Sequence, residues 1–253
     1  MLKLIALVAA LLMFQSQPAG EKPRDVPLSE YRSQPVGTFT TLVRKDADKD
    51  EMRLRRVLAA LEFDIHLIDR LVPADALTAL HSVRIVITPT TAAREGLSGH
   101  GMCYHESAGW LTANGYDAAR EGVVEILNMD DFLAWRAEQP MMLLHEMAHA
   151  YHAMIGNQRE DVQRAYAAAK QGKKYEAVHH VLLAPDKTRP AYAMNNAKEY
   201  FAELTEAWFG RNDFAPFTHD ELLAFDPEGA GVVDKLWRLS SEEIDAARVR
   251  RGH

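Results

Sequence analysis

Two histidines and a glutamate stand out between Pro140 and Asn157, in PMMLLHEMAHAYHAMIGN. Placed on a helix, His145 and His149 are i and i+4, so their imidazoles leave one face about 6 Å apart in axial rise. Two neutral imidazoles so spaced can share one zinc ion. Glu146 follows the first of them, turned about 100° round the helix. From there a carboxylate reaches a zinc-acidified water and can take its proton without being forced onto the metal. Leu143, Leu144, Met147, Ala148 and Ala150 supply apolar surface to bury the rest of the helix and pre-form the site.

A catalytic zinc needs a third protein ligand and one open position. His152 is the nearest candidate, but it lies about 7–8 Å in axial rise from the midpoint of the histidine pair. It is expected in the core or behind a ligand. The metzincin pattern is absent, since it needs Gly at His152 and His at Ile155. A better source is NNAKEYFAELTEAWFG, where Glu199 and Glu203 are i and i+4 and are flanked by Tyr200, Phe201, Leu204, Trp208 and Phe209. One acid on the metal and one on a ligand histidine would account for two carboxylates on an aromatic-bordered face. Spacing alone leaves open which does which.

HEMAH, followed by Tyr192, Glu199, Tyr200-Phe201, Ala202 and Glu203, resembles the catalytic domain of the anthrax lethal factor-like zinc peptidases, of the gluzincin type. The resemblance implies a zincin-like α+β fold: a small mixed β-sheet packed on the HExxH helix, with a mainly helical C-terminal half. It implies one Zn²⁺ held by His145, His149 and Glu199, with Glu203 behind them, towards a ligand histidine. It implies that Tyr192 donates a hydrogen bond to the oxyanion, and that extended peptide or protein substrate pairs with an edge strand. That edge is expected near Val123 to Leu127, with Tyr104, His105, Trp110 and Val124 lining the cleft. The weaker likeness runs from residue 38 to 239. The chain lacks the toxin's other domains, so toxin targets do not carry over.

The elements that must position these groups are legible in outline. Thr38 to Arg44 has strand character; Leu54, Val57, Leu58, Leu61, Ile65 and Ile68 recur at helical spacing; Arg84 to Thr88 and Glu121 to Asn128 read as strands. Asp130 and Asp131 are suited to cap a short helix. Helices are expected over 139–155, stopped by Gly156-Asn157, over 159–171 and over 196–209, with shorter pieces to 239. The segment REGLSGHGMCYHESAGWLTANGYD is long and glycine-rich, as functional loops often are.

The termini read differently. Met1-Leu2-Lys3, the apolar run Leu4 to Phe14 and the polar QSQPAG form a secretory signal over 1–20, too short for a membrane span. Residues 21–37 read as an extended leader, 38–239 as the peptidase domain and 240–253 as a tail. Export is therefore expected, to periplasm or exterior. Cys103 is the sole cysteine, so no internal disulfide can form. With 29 basic and 36 acidic residues the formal charge is −7, which argues against nucleic acid or an anionic membrane surface as partner. The alternative to an enzyme is a zinc-containing protein that binds peptide or cell-envelope partners without turnover.

Overall fold

The computed structural model describes residues 25–90 and 101–250. The signal segment 1–20, the start of the leader and part of the glycine-rich stretch lie outside them. Among the described residues are five strands: β1 (Tyr31–Val36), β2 (Phe39–Arg44), β3 (Arg84–Ile87), β4 (Met102–Tyr104) and β5 (Val123–Ile126). Ten α-helices accompany them: α1 (Glu51–Leu71), α2 (Ala74–Leu80), α3 (Ala108–Ala113), α4 (Met129–Trp135), α5 (Met142–Ile155), α6 (Glu160–Gln171), α7 (Ala197–Phe209), α8 (His219–Phe225), α9 (Pro227–Trp237) and α10 (Ser241–Val249). The fold is α+β, with a small mixed sheet and a helical C-terminal half. No described helix is long and apolar enough to cross a membrane.

The sheet order is β1-β2-β3-β5-β4. β1 and β2 form an antiparallel hairpin turning at Gly37, whose φ of +54° suits glycine. A Cβ there would also meet Ile65 Cγ2 at 2.6 Å. β3 and β5 add in parallel, and β4 closes the series antiparallel to β5. Both central strands are buried on two faces, which explains their continuous apolar runs. Ile85, Ile87, Val124 and Ile126 join the main core with α1 and α5. Val86 and Val123 point the other way, onto Leu28 and Tyr31.

Two expected boundaries move. The leader is no appendage: Tyr31–Val36 is a strand of the sheet, and Asp25 pairs with the buried Arg120 at 2.7 Å. The tail holds α10, started by a capping box at Ser240 and Glu243 and packed on α2 and α5. The edge strand is also not the one expected. Val123–Ile126 lies between two neighbours, and the outer strand is β4. At α4 the cap is Asn128, whose Oδ1 accepts from the N–H groups of Asp130 and Asp131.

α5 and α7 are the elements that matter for the site. Both are apolar on most faces and buried, as helices inside a domain must be. Trp237 of α9 fixes their relation by stacking on Tyr151 of α5 at 4.4 Å and on Phe201 of α7 at 6.1 Å between ring centres. Its Nε1–H donates to Thr205 Oγ1 at 3.0 Å. α9 approaches α7 at Gly229, where a Cβ would sit 2.3 Å from the Tyr200 hydroxyl.

Candidate metal centre

α5 begins after Met141 and stops at Gly156, whose φ of 123° ends the helix. His145 and His149 therefore lie one turn apart and face α7. α7 starts at Asn196, whose side chain accepts from the N–H groups of Lys198 and Glu199, so Glu199 falls in the first turn. The result is a triangle of ligand atoms. His145 Nε2 and His149 Nε2 are 3.1 Å apart, and Glu199 Oε2 is 3.2 Å from the first and 3.1 Å from the second. Donors about 2.0–2.1 Å from a tetrahedral zinc are spaced about 3.3 Å apart, so the two imidazoles and the carboxylate fit that ion in both chemistry and spacing.

The electrostatics match a cation site. Burial opposes ionisation of Glu199, yet its contacts with His145 and His149 hold the carboxyl far below its usual range. Burial likewise opposes charge on His145, while Glu199 and Glu206 push its pKa well above the ordinary histidine value. The three ligand atoms lie within the space of one metal ion.

Behind His145 the arrangement departs from expectation. Its Nδ1 is 2.7 Å from Glu206 Oε1, whereas Glu203 Oε1 stands at 3.8 Å, beyond hydrogen-bond distance. Glu206 Oε1 also accepts from Gln139 Nε2–H at 2.8 Å. Glu206 thus takes the position expected for Glu203. Its signal in the sequence was its place seven residues after Glu199, two turns along the same face. His145 with Glu203 and Glu206 also forms a second group close enough to hold a metal. The 2.7 Å contact instead gives this histidine the hydrogen-bonded carboxylate that orients a metal ligand.

Glu146 lines the same cleft, and its Oε2 accepts the Tyr104 N–H at 2.7 Å. That bond ties the base candidate to the edge strand. Tyr192 lies in a short turn before α7, 38% exposed, its ring 6.4 Å from that of His145. Burial and then Glu199 raise its pKa, so its hydroxyl keeps its proton. Tyr104 lines the cleft as expected.

Three expected cleft residues do not belong there. Val124 is fully buried on the central strand. His105 is 4% exposed, and its Nε2–H donates to Glu125 Oε2 at 2.7 Å. Glu125 shares a sheet face with Val123, away from α5, where it also binds Arg120 at 2.8 Å and accepts from Thr88. Trp110 stacks on Tyr116 at 5.7 Å, outside the cleft lining. His152 is fully buried beside Phe201, as its spacing foretold. Burial, with Glu146 and Glu125 adding, pushes the Cys103 thiol well above its ordinary range.

Searches of family models, curated proteins and solved structures gave no match for this chain.

Proposed function

We propose that the chain is an exported zinc-dependent endopeptidase of the gluzincin type, with a zincin-like fold similar to the lethal factor-like catalytic domain. The observation that carries this reading is the triangle of His145, His149 and Glu199, with Glu146 one residue from the first histidine and bonded to the edge strand. The apolar run at Leu4 to Phe14 supports export.

Zinc in that triangle would acidify a water and polarise the substrate carbonyl. Glu146 takes the proton of the attacking water and returns it to the leaving nitrogen. Tyr192 donates a hydrogen bond from its hydroxyl to the developing oxyanion. Glu206 keeps the His145 ring in one orientation.

Substrate pairs with β4. In the β4–β5 ladder Gly101 and His105 direct their backbone bonds inward, to Leu127, Val123 and Gly122. The alternation of an antiparallel pair then turns Met102 and Tyr104 outward. Met102 N–H and C=O can bind an extended peptide, while the Tyr104 N–H holds Glu146.

The test is cleavage of a mixed peptide library by the zinc-loaded protein, read by mass spectrometry beside Glu146→Gln. Cuts that vanish in a variant that keeps its zinc support the peptidase. Equal cutting by both removes Glu146 from the role assigned. Zinc binding without cutting by the wild type favours a non-catalytic peptide-binding protein.

A further inference from the structure

Towards the N-terminal end of α5 a second hollow of about 350 Å³ opens beside the ligand triangle. It shares Met102, His145, Glu146 and Tyr192 with the metal cleft, so it adjoins the site of the proposed chemistry. Its size falls within the range of about 300–1,000 Å³ usual for ligand pockets.

Besides Glu146, which belongs to the metal cleft, two acids line it, Glu203 of α7 and Asp213 from the loop after α7. Glu203 is 2% exposed, and the Asp213 side chain 15%. Each has one oxygen engaged. Asp213 Oδ2 is 3.2 Å from His180 Nε2, while Oδ1 is buried with no hydrogen-bond partner. Glu203 Oε2 accepts from Asn212 Nδ2–H at 3.2 Å, and its Oε1 is 3.8 Å from His145 Nδ1, which turns to Glu206 instead. Neither acid pairs with a lysine or arginine among the described residues. Arg189 also lines the hollow, but it is solvent-exposed and its guanidinium lies over the Phe214 ring at 5.3 Å.

Buried carboxyls without a cation resist ionisation, and an entering ammonium or guanidinium would stabilise their charged form. Resting on the peptidase reading, we infer that this hollow is a specificity pocket for a lysine or arginine side chain, recognised by Glu203 and Asp213. Because Glu206 orients the ligand histidine, Glu203 is free for this second task.

β4 gives the direction. Gly101 lines this hollow and Tyr104 the metal cleft, with Met102 in both. A substrate pairing antiparallel to β4, the more stable arrangement, brings its C-terminal half to the Gly101 end. The basic residue then follows the scissile bond directly, and cleavage falls on its N-terminal side.

The test uses two peptides that differ only in lysine or leucine at that position. Calorimetric binding to the inactive Glu146→Gln protein is expected to favour lysine by at least about tenfold, in the range set by one buried charge pair. Asp213→Asn and Glu203→Gln, each added to that protein, should each reduce the preference, and zinc content and melting curves show whether each variant is folded. Equal binding of the two peptides, or a preference untouched in both folded variants, overturns the inference. Cleavage of the leucine peptide by the wild type would still leave the peptidase reading intact. Preferential lysine binding with no wild-type cleavage of either peptide would sink the peptidase and keep the pocket.

Discussion

Glu206→Gln is expected to weaken zinc binding by about 10–100-fold, the range for removing the partner of a ligand histidine. That is about 1.4–2.7 kcal/mol. The magnitude follows from the geometry. Glu206 is fully buried, and its Oε1 receives both His145 Nδ1–H at 2.7 Å and Gln139 Nε2–H at 2.8 Å. Glutamine keeps an acceptor of the same shape but loses the charge that strengthens the bond to the histidine. Glu203 offers the control. Its nearest oxygen is 3.8 Å from His145 Nδ1, so Glu203→Gln should change zinc affinity by less than about threefold. The assay is competition with a chromophoric chelator at pH 7, with melting curves of the metal-free variants to show that both fold. A loss in Glu203→Gln equal to that in Glu206→Gln would refute the reasoning and return Glu203 to the place the family resemblance implied.

Zinc binding at pH 7 should release about one proton, because the metal needs the Nε2 lone pair of a histidine whose pKa Glu199 and Glu206 raise despite burial; calorimetry in buffers of different ionisation enthalpy reads this, and buffer-independent heats would contradict it. Burial and then Glu206 push the Glu203 pKa well above 4.5, so the folded state binds its proton more tightly than the unfolded chain. The stability it adds is present below about pH 4.5 and lost as pH rises through the folded pKa. Glu203→Gln should therefore raise the melting temperature of the metal-free protein by more at pH 8 than at pH 5, and an equal or smaller gain at pH 8 would count against it. Arg120→Met strands Glu125 and Asp25 as buried charges and should cost about 3–5 kcal/mol in urea unfolding. Zinc affinity should hold, because that network lies on the sheet face away from α5. Tyr192→Phe should lower kcat about 10²–10³-fold with zinc affinity unchanged; full activity would remove the tyrosine from the oxyanion role.

The histidine pair was legible because it rests on two local rules, i,i+4 spacing and helix caps, whereas the choice of Glu199 over Glu203 as third ligand came from the family resemblance. Gly156 and Asn196 set the ends of α5 and α7, and no distant contact can shift a histidine pair along its own helix. What decides the rest is long-range. β4 is three residues inside a glycine-rich stretch, too short for an alternating pattern, and its place at the edge is a matter of strand order. His105 reads as a cleft histidine until Arg120 and Glu125 are brought to the opposite face of the sheet. Glu206 looks like part of a solvated helix face, because an acid's burial depends on what packs over it, here α5 and the residues before it. The leader was hidden by its prolines and polar residues. Its strand buries only Tyr31 and Val36 at the two ends, so the apolar signal is faint. The tail's capping box was the one local clue to α10.

The most direct test is zinc content after equilibrium dialysis, measured by elemental analysis for the wild type, Glu146→Gln and Glu199→Gln. A base beside a three-residue metal centre predicts about one zinc per chain in the wild type and in Glu146→Gln, and loss of zinc in Glu199→Gln. A wild type without stoichiometric zinc, or a Glu146→Gln protein that loses its metal while Glu199→Gln keeps it, would contradict the account.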